Sequence, residues 1–411
     1  MKRIIVILVL IMLTLCGCSP AVDVENETLN FSTSGVFKET DGFLFDSLEH
    51  GEFRGAWLSY LEINPKRLSD ENEYRAYIDE VLARLDSFGV GDLFVQVRPF
   101  ADAIYKSELF ETSSCVVKKR GESLPLDFLK IIIDEAKKKD IRIHAWINPY
   151  RIMSEARKEE ISSQSKIGKW LCDESSDNII RIDGGVYLNP ASIEAQQLII
   201  NGVREILKNY DVAGVHIDDY FYPSDRKEID SKQYENYIAD GGRMSLEEWR
   251  RENVSSLISG IYCAVRACSK NCIFSVSPSG DIAKNQSRLF ADVRKWCSED
   301  GYCDLIIPQI YFGFDNETQP FESCANQWAE LCKSRKVRLC AGLAVYKAGK
   351  EDSFAGESGK NEWIENSDIL KRQVEYLREN GFDGFCLYSS QFVNFNEKLC
   401  SKELKNLNDV L

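Results

Sequence analysis

From Phe53 onward the chain repeats one pattern eight times: a short apolar or β-branched run, then a longer stretch with apolar residues at three- and four-residue spacing. The strand-like runs cover residues 53–59, 92–98, 141–148, 212–218, 272–278, 303–312, 337–345 and 381–389. Helical stretches between them include 73–88, 126–139, 193–210, 245–267 and 369–380. Eight successive strand–helix units predict an α/β fold, a closed parallel (β/α)8 TIM barrel with long βα loops, over residues 51–400. An open doubly wound sheet would place a glycine-rich phosphate loop after an early strand, and the sequence offers none. Segments after the second, third, fourth and seventh strands are long, whereas most returns are short. The insertions therefore elaborate the C-terminal face, where barrel active sites sit.

The first fifty residues read differently. Met1-Lys2-Arg3 is a basic start, and Ile4 to Leu15 is an apolar run interrupted only by Thr14. It is too short to span a bilayer, which takes ~20 residues, but suits a secretion signal. The run ends in Leu15-Cys16-Gly17-Cys18, which resembles a bacterial lipobox, where the last cysteine becomes the lipidated N-terminus. The expectation is a signal peptide over 1–18 and a polar tether over 19–50. The barrel would then hang from the cell membrane through a lipid on Cys18, on the extracytoplasmic face.

Charge and cysteine usage narrow the chemistry. The 411 residues carry 51 Lys+Arg against 65 Asp+Glu, a net charge of −14, which argues against nucleic acid because phosphate contacts need a basic face. No CxxC pair appears, and His50, His144 and His216 stand singly, so neither a zinc site nor a metal-dependent deacetylase is suggested. No cofactor is expected. Cys303, Cys340 and Cys386 lie in strand-like runs, where cysteine behaves as a small buried hydrophobe, and mostly free thiols are expected.

The strand ends collect aromatics together with Asp, Asn, Arg and Gln, a mixture that suits sugars. Ring faces cover the C–H side of a pyranose while amides and carboxylates take its hydroxyls. The sharpest element is GVHIDDYFYP, residues 214–223. Period-two alternation puts His216 and Asp218 on one side of a strand, so that Asp218 points into the barrel mouth with Asp219 beside it. Adjacent carboxylates repel, and a raised pKa suits a general acid near neutral pH. Asp218 and Asp219 are the expected catalytic residues. Arg98, Asp102, Trp146, Asn148, Tyr150, Arg151, His216, Tyr220, Gln309 and Tyr311 are the expected substrate contacts. For a second acid the sequence offers Asp102, Glu62, Asp281 or Asp315. An alternative route uses the Asp218/Asp219 pair with Tyr311 and lets a substrate 2-acetamido group act as internal nucleophile.

RGAWLS, VQVRPFADAIY, HAWINPYR, YLNPA, GVHIDDYFYP, SVSPSG, DLIIPQIYF and GLAVY, in this order, resemble the glycosyl hydrolase-like 10 family over residues 51 to about 395. The resemblance implies a (β/α)8 glycosidase, often lipid-anchored, with a polysaccharide substrate such as peptide-free peptidoglycan strands. Phe100 departs from the small or polar residue expected in VRPFADA. The function expected is an extracytoplasmic glycoside hydrolase, and the alternative is a membrane-tethered glycan-binding protein without catalysis.

Overall fold

The computed structural model describes residues 51–394, 398 and 400–411. The signal, the tether and Cys18 lie outside the described residues.

The barrel is as the repeat pattern predicts. The strands in chain order are β1 (Phe53–Leu58), β2 (Asp92–Arg98) and β3 (Arg142–Ile147), then β4 (Arg151–Met153), β5 (Ile179–Ile182) and β6 (Gly185–Leu188). They continue with β7 (Gly214–Ile217), β8 (Ile273–Val276), β9 (Leu305–Ile306), β10 (Arg338–Ala344) and β11 (Gly384–Tyr388). Eight of them close in the order β1-β11-β10-β9-β8-β7-β3-β2, all parallel. The other three form a small antiparallel sheet, β4-β6-β5, inside the insertion after β3.

The helices follow from apolar stripes and capping residues. Asp70 accepts from the N–H groups of Asn72 and Glu73 to start Glu71–Asp86, and Ser245 with Glu248 forms a capping box on Leu246–Cys268. The helix Ile193–Asn209 starts on Ser192 in the same way. A last helix, Ser401–Asn408, buries Leu404 and Leu407 and lies past the boundary at 400. The predicted strand over 303–312 shrinks to β9, because Pro308 lacks an N–H for the ladder. Beyond it only Gln309 makes isolated bridges, to Ser279 and Gly342.

The barrel interior is layered, and unusually polar. Near the bottom His144 and Arg142 bond the Asp92 carboxylate at 2.8 and 2.7 Å, and despite burial they hold its pKa low. Above it lie Phe94, Trp57 and His216, with Ser275 on β8. Small residues make room for these rings: a Cβ at Gly214 would collide with His144 Nδ1. The alternate residues face outward and pack against the helices, among them Leu58, Val95, Ile143 and Val215. Eleven of the described cysteines, from Cys115 to Cys386, are free thiols.

Candidate active site

Asp218 follows directly on the last residue of β7 and is 3% exposed. The parity expected from GVHID holds, since His216 and Asp218 share the inner face. Trp146 Nε1 donates to Asp218 Oδ2 at 3.0 Å, and the Tyr220 N–H reaches Oδ1 at 3.4 Å. The Asn148 amide is satisfied with its nitrogen toward Asp218 Oδ1, at 2.9 Å. Its oxygen then accepts from Arg151 Nη2 at 3.2 Å and Gln96 Nε2 at 2.9 Å. Three donors thus fix the carboxyl in place.

Burial pushes the Asp218 pKa up to about 7, and the charge of Asp219 adds to the effect. Arg151 and the Trp146 and Tyr220 N–H groups oppose it without prevailing. Asp219 is half-buried and also raised, chiefly by burial, with Lys284 and a Gln309 hydrogen bond opposing. With its pKa near 7, the Asp218 carboxyl keeps a proton in a large share of molecules at neutral pH. The Gln309 amide also donates to Ser277 O at 3.1 Å, which orients it.

Tyrosines close the opposite wall. Tyr311 packs against Tyr388 at 5.6 Å and against Tyr346 at 6.0 Å between ring centroids. Burial raises the pKa of both Tyr311 and Tyr388. Asp219 adds to the first and Asp218 to the second, so these phenols stay protonated toward the acid pair.

Arg151 forms the adjoining wall. Its guanidinium stacks between the rings of Phe100 and Tyr220, 4.3 Å from each centroid, and its Nε donates to Pro99 O at 3.3 Å. The same Phe100 ring lies 4.4 Å under Arg157 and edge-on to Tyr60 at 5.3 Å. The departure at Phe100 is therefore a platform for two arginines, where a small residue would leave them unsupported.

Other expected contacts sit elsewhere. His216 is fully buried beneath the site: Nε2 accepts from Trp57 Nε1 at 3.1 Å and Nδ1 meets Ser275 Oγ at 2.8 Å. Because Trp57 can only donate, the His216 proton is on Nδ1. Burial, aided by His144, holds its pKa well below the usual value. Arg98 is 0% exposed, lies 4.6 Å over the Phe110 ring, and makes no hydrogen bond within the protein. Its displacement has a local cause: the β2–β3 register shifts between Gln96 and Arg98, so Gln96 pairs with inward Trp146 while Arg98 pairs with outward Ile147. Burial lowers the Arg98 pKa to about 10, against the nearby Tyr105, Asp102 and Glu205. Tyr150 is buried at 0% with its hydroxyl unpartnered in the protein. Within Tyr220-Phe221-Tyr222 only Tyr220 is exposed, while Phe221 packs on Trp296 and Tyr222 on Phe290.

Three of the four candidate second acids accept hydrogen bonds from the protein. Asp102 is 0% exposed and bonds the Phe100 N–H. Glu62 accepts from Ser59 N, Ser390 Oγ and Gln391 N, and Asp281 caps the turn at Ala283 and Lys284. Asp315 is exposed, on the loop that bonds Glu362. Lys284, on the loop after β8, was not visible as a site residue in the sequence. It carries no motif, and only the fold brings it to Asp219.

The family model described as glycosyl hydrolase-like 10 matches residues 52–357. The chain is 31% identical over 367 residues to glycosyl hydrolase YngK of Bacillus subtilis (strain 168), covering 84% of this chain and 70% of that protein. It is 30% identical over 327 residues to glycosyl hydrolase DigH of Escherichia coli (strain K12), covering 74% and 72%. Among solved structures, the PgaB (BpsB) glycoside hydrolase domain from Bordetella bronchiseptica matches with a TM-score of 0.57 at 11% identity, over 88% of this chain and 99% of that one. A β-galactosidase from the psychrophilic Marinomonas ef1 matches at a TM-score of 0.56 and 11% identity, over 87% and 59%. At such identities the structural likeness is one of fold.

Proposed function

The chain belongs to the glycosyl hydrolase-like 10 family, and from that premise we propose that it is a lipid-anchored, extracytoplasmic glycoside hydrolase cleaving an N-acetylated cell-wall glycan of peptidoglycan type. The observation that carries this reading is the Asp218/Asp219 pair at the end of β7, deep enough to retain a proton near pH 7. Glycoside hydrolysis needs a proton for the leaving oxygen and electron density at the anomeric carbon. The protonated member supplies the first.

For the second, substrate assistance fits best, because Asp102, Glu62 and Asp281 carry hydrogen bonds from protein N–H or O–H groups and Asp315 lies exposed on its loop. The substrate's acetamido oxygen attacks the anomeric carbon as the glycosidic C–O bond breaks, and the leaving oxygen takes the carboxyl proton. The ionised member of the pair accepts the acetamido N–H and steadies the cyclic cation. Water then opens that ring and returns a proton to the pair. Tyr311 and Tyr388, both protonated, line the pocket that would hold the acetamido group.

The test is release of reducing ends from peptide-free glycan strands by the purified protein and by Asp218→Asn. The variant should lose well over tenfold in kcat, with KM moving far less. Retention of more than about a tenth of kcat, a loss of ~1.4 kcal/mol or less, would end the assignment. Glycan binding with no turnover in either protein would make the chain a tethered binder instead. The anchor is tested separately: Cys18→Ala should abolish lipid labelling and signal cleavage, and normal maturation would remove that part of the proposal.

A further inference from the structure

We propose that the sugar seated at the Asp218/Asp219 pair carries a carboxylate, which Arg151 grips directly and Lys284 attracts from the other side. The inference rests on the glycosidase reading and narrows its substrate class.

The ion pairing of the chain points this way. Acids outnumber bases, 65 to 51, and several arginines around the barrel mouth are bound to carboxylates. Arg120 pairs with Glu111, Arg157 with Glu159, and Arg250 with Asp230. Arg151 and Lys284 make no such pair: among the described residues neither has a carboxylate oxygen within 4.0 Å. Both stand beside the acid pair, past the ends of the two strands that flank β7. Arg151 follows β3, and Lys284 follows β8.

Arg151 is also prepared for a ligand. Two ring faces fix its plane, and bonds to Pro99 O and the Asn148 oxygen engage Nε and one N–H of Nη2. At least two N–H groups remain for a ligand. A planar guanidinium held in this way matches a carboxylate by paired hydrogen bonds, and it loses little freedom on binding. Neutral hydroxyls would be served by the part-exposed Gln309 amide and by the Tyr220 and Tyr311 hydroxyls, whereas Gln96 and Asn148 are buried and spend their amides inside the protein. The two cations temper the charge of the acid pair and, being ion-paired to nothing within 4.0 Å, can also receive an anionic sugar. In a chain of net charge −14 they supply the local positive potential that an acidic polymer requires to approach.

Two kinds of glycan carry such a group: a lactyl-ether amino sugar, as in peptide-free wall strands, and a uronic acid. The experiment compares wild type, Arg151→Gln and Lys284→Gln on three substrates. These are peptide-free strands, the same strands amidated with carbodiimide and methylamine, and oligouronides. Amidation should lower the wild-type kcat/KM by about tenfold or more, the weight of one charge-assisted contact. Arg151→Gln should cost about as much on acidic strands, mainly in KM, and clearly less on amidated ones. Lys284→Gln should show the same preference more weakly, with greater sensitivity to salt. Cleavage of oligouronides in place of strands would assign the carboxylate to a uronic acid. Equal turnover of native and amidated strands by wild type would overturn the proposal. So would an Arg151→Gln defect of equal size on both, confined to kcat, since the residue would then act through Asp218. If no glycan is cleaved, binding to Asp218→Asn followed by tryptophan fluorescence still decides recognition. A preference for acidic strands keeps it while the hydrolase reading fails, and no preference removes it.

Discussion

Asp218→Asn should stabilise the protein, and by more as the pH rises. A carboxyl that titrates near 7 in the fold and near 3.8 in the unfolded chain favours folding only while it keeps its proton. That stability is complete below the unfolded pKa and is lost as pH climbs through the folded one. At 1.36 kcal/mol per pH unit, the loss relative to an uncharged side chain is about 1.7 kcal/mol at pH 5 and about 4 kcal/mol at pH 8. Asparagine cannot ionise and escapes it. The substitution has a cost of its own, because the new NH2 meets one of the three donors from Trp146, Asn148 and Tyr220. A mismatched buried donor costs about 1–2 kcal/mol, independent of pH, so the difference between the two pH values isolates the ionisation. The stability gap should widen by about 2.5 kcal/mol between pH 5 and pH 8, or roughly 5 °C in Tm for a body of this size. Thermal unfolding of both proteins across that range measures it directly. A gap that stays constant within 1 °C would show that Asp218 ionises no differently in the fold, and the proton inventory of the site would collapse with it.

Other expectations follow from the same contacts. The kcat/KM profile should fall on the alkaline side with an apparent pKa around 7, and Trp146→Phe should move that limb upward, since the indole N–H favours the ionised carboxyl. A limb that moved down or stayed fixed would contradict the hydrogen bond. Gly202→Ala should cost about 1–2 kcal/mol in urea unfolding, because its Cβ would meet Phe110 Cε2 at 2.6 Å and Arg98 Nη1 at 2.8 Å. Arg250→Met should cost about 3–5 kcal/mol by leaving Asp230 buried and unpaired beside the loop after β7. Calorimetry showing a loss under 1 kcal/mol would mean that the loop reorganises to solvate the acid.

Barrel strands are read easily when both parity and neighbours are regular. Residues 212–218 and 141–148 are alternating runs between long amphipathic stretches, and they bring Trp146, Asn148 and Asp218 to strand ends at the barrel mouth, where the structure joins them by hydrogen bonds. The strands of the β4-β6-β5 sheet, three or four residues each and partly exposed, carry too little pattern to be distinguished from loop. Arg98 and Tyr150 were assigned to the mouth from sequence proximity, but a register shift takes the first out of phase and the core takes the second. His216 was on the correct face one layer too low, a matter of depth that alternation does not report. The walls around Asp219 come from residues remote in sequence, Lys284, Gln309 and Tyr311, and only Gln309 and Tyr311 end a recognisable strand.

The irregularity after Gln96 also bears on how such a site can change over generations. Inward and outward positions on a strand answer to different neighbours, so substitution alone rarely moves a side chain from one company to the other. One residue more or less in β2 does so at a stroke. Strict alternation from Gln96 would set Arg98 opposite Asn148 and facing the mouth; the extra residue sets it opposite Ile147 instead, against Phe110, and with it places the Pro99 carbonyl that holds Arg151. A barrel of this kind therefore has a second route to new specificity, in which length changes at a strand end exchange whole sets of side chains between lining and packing. The unsolvated guanidinium left against the helices would be the visible trace of such an event.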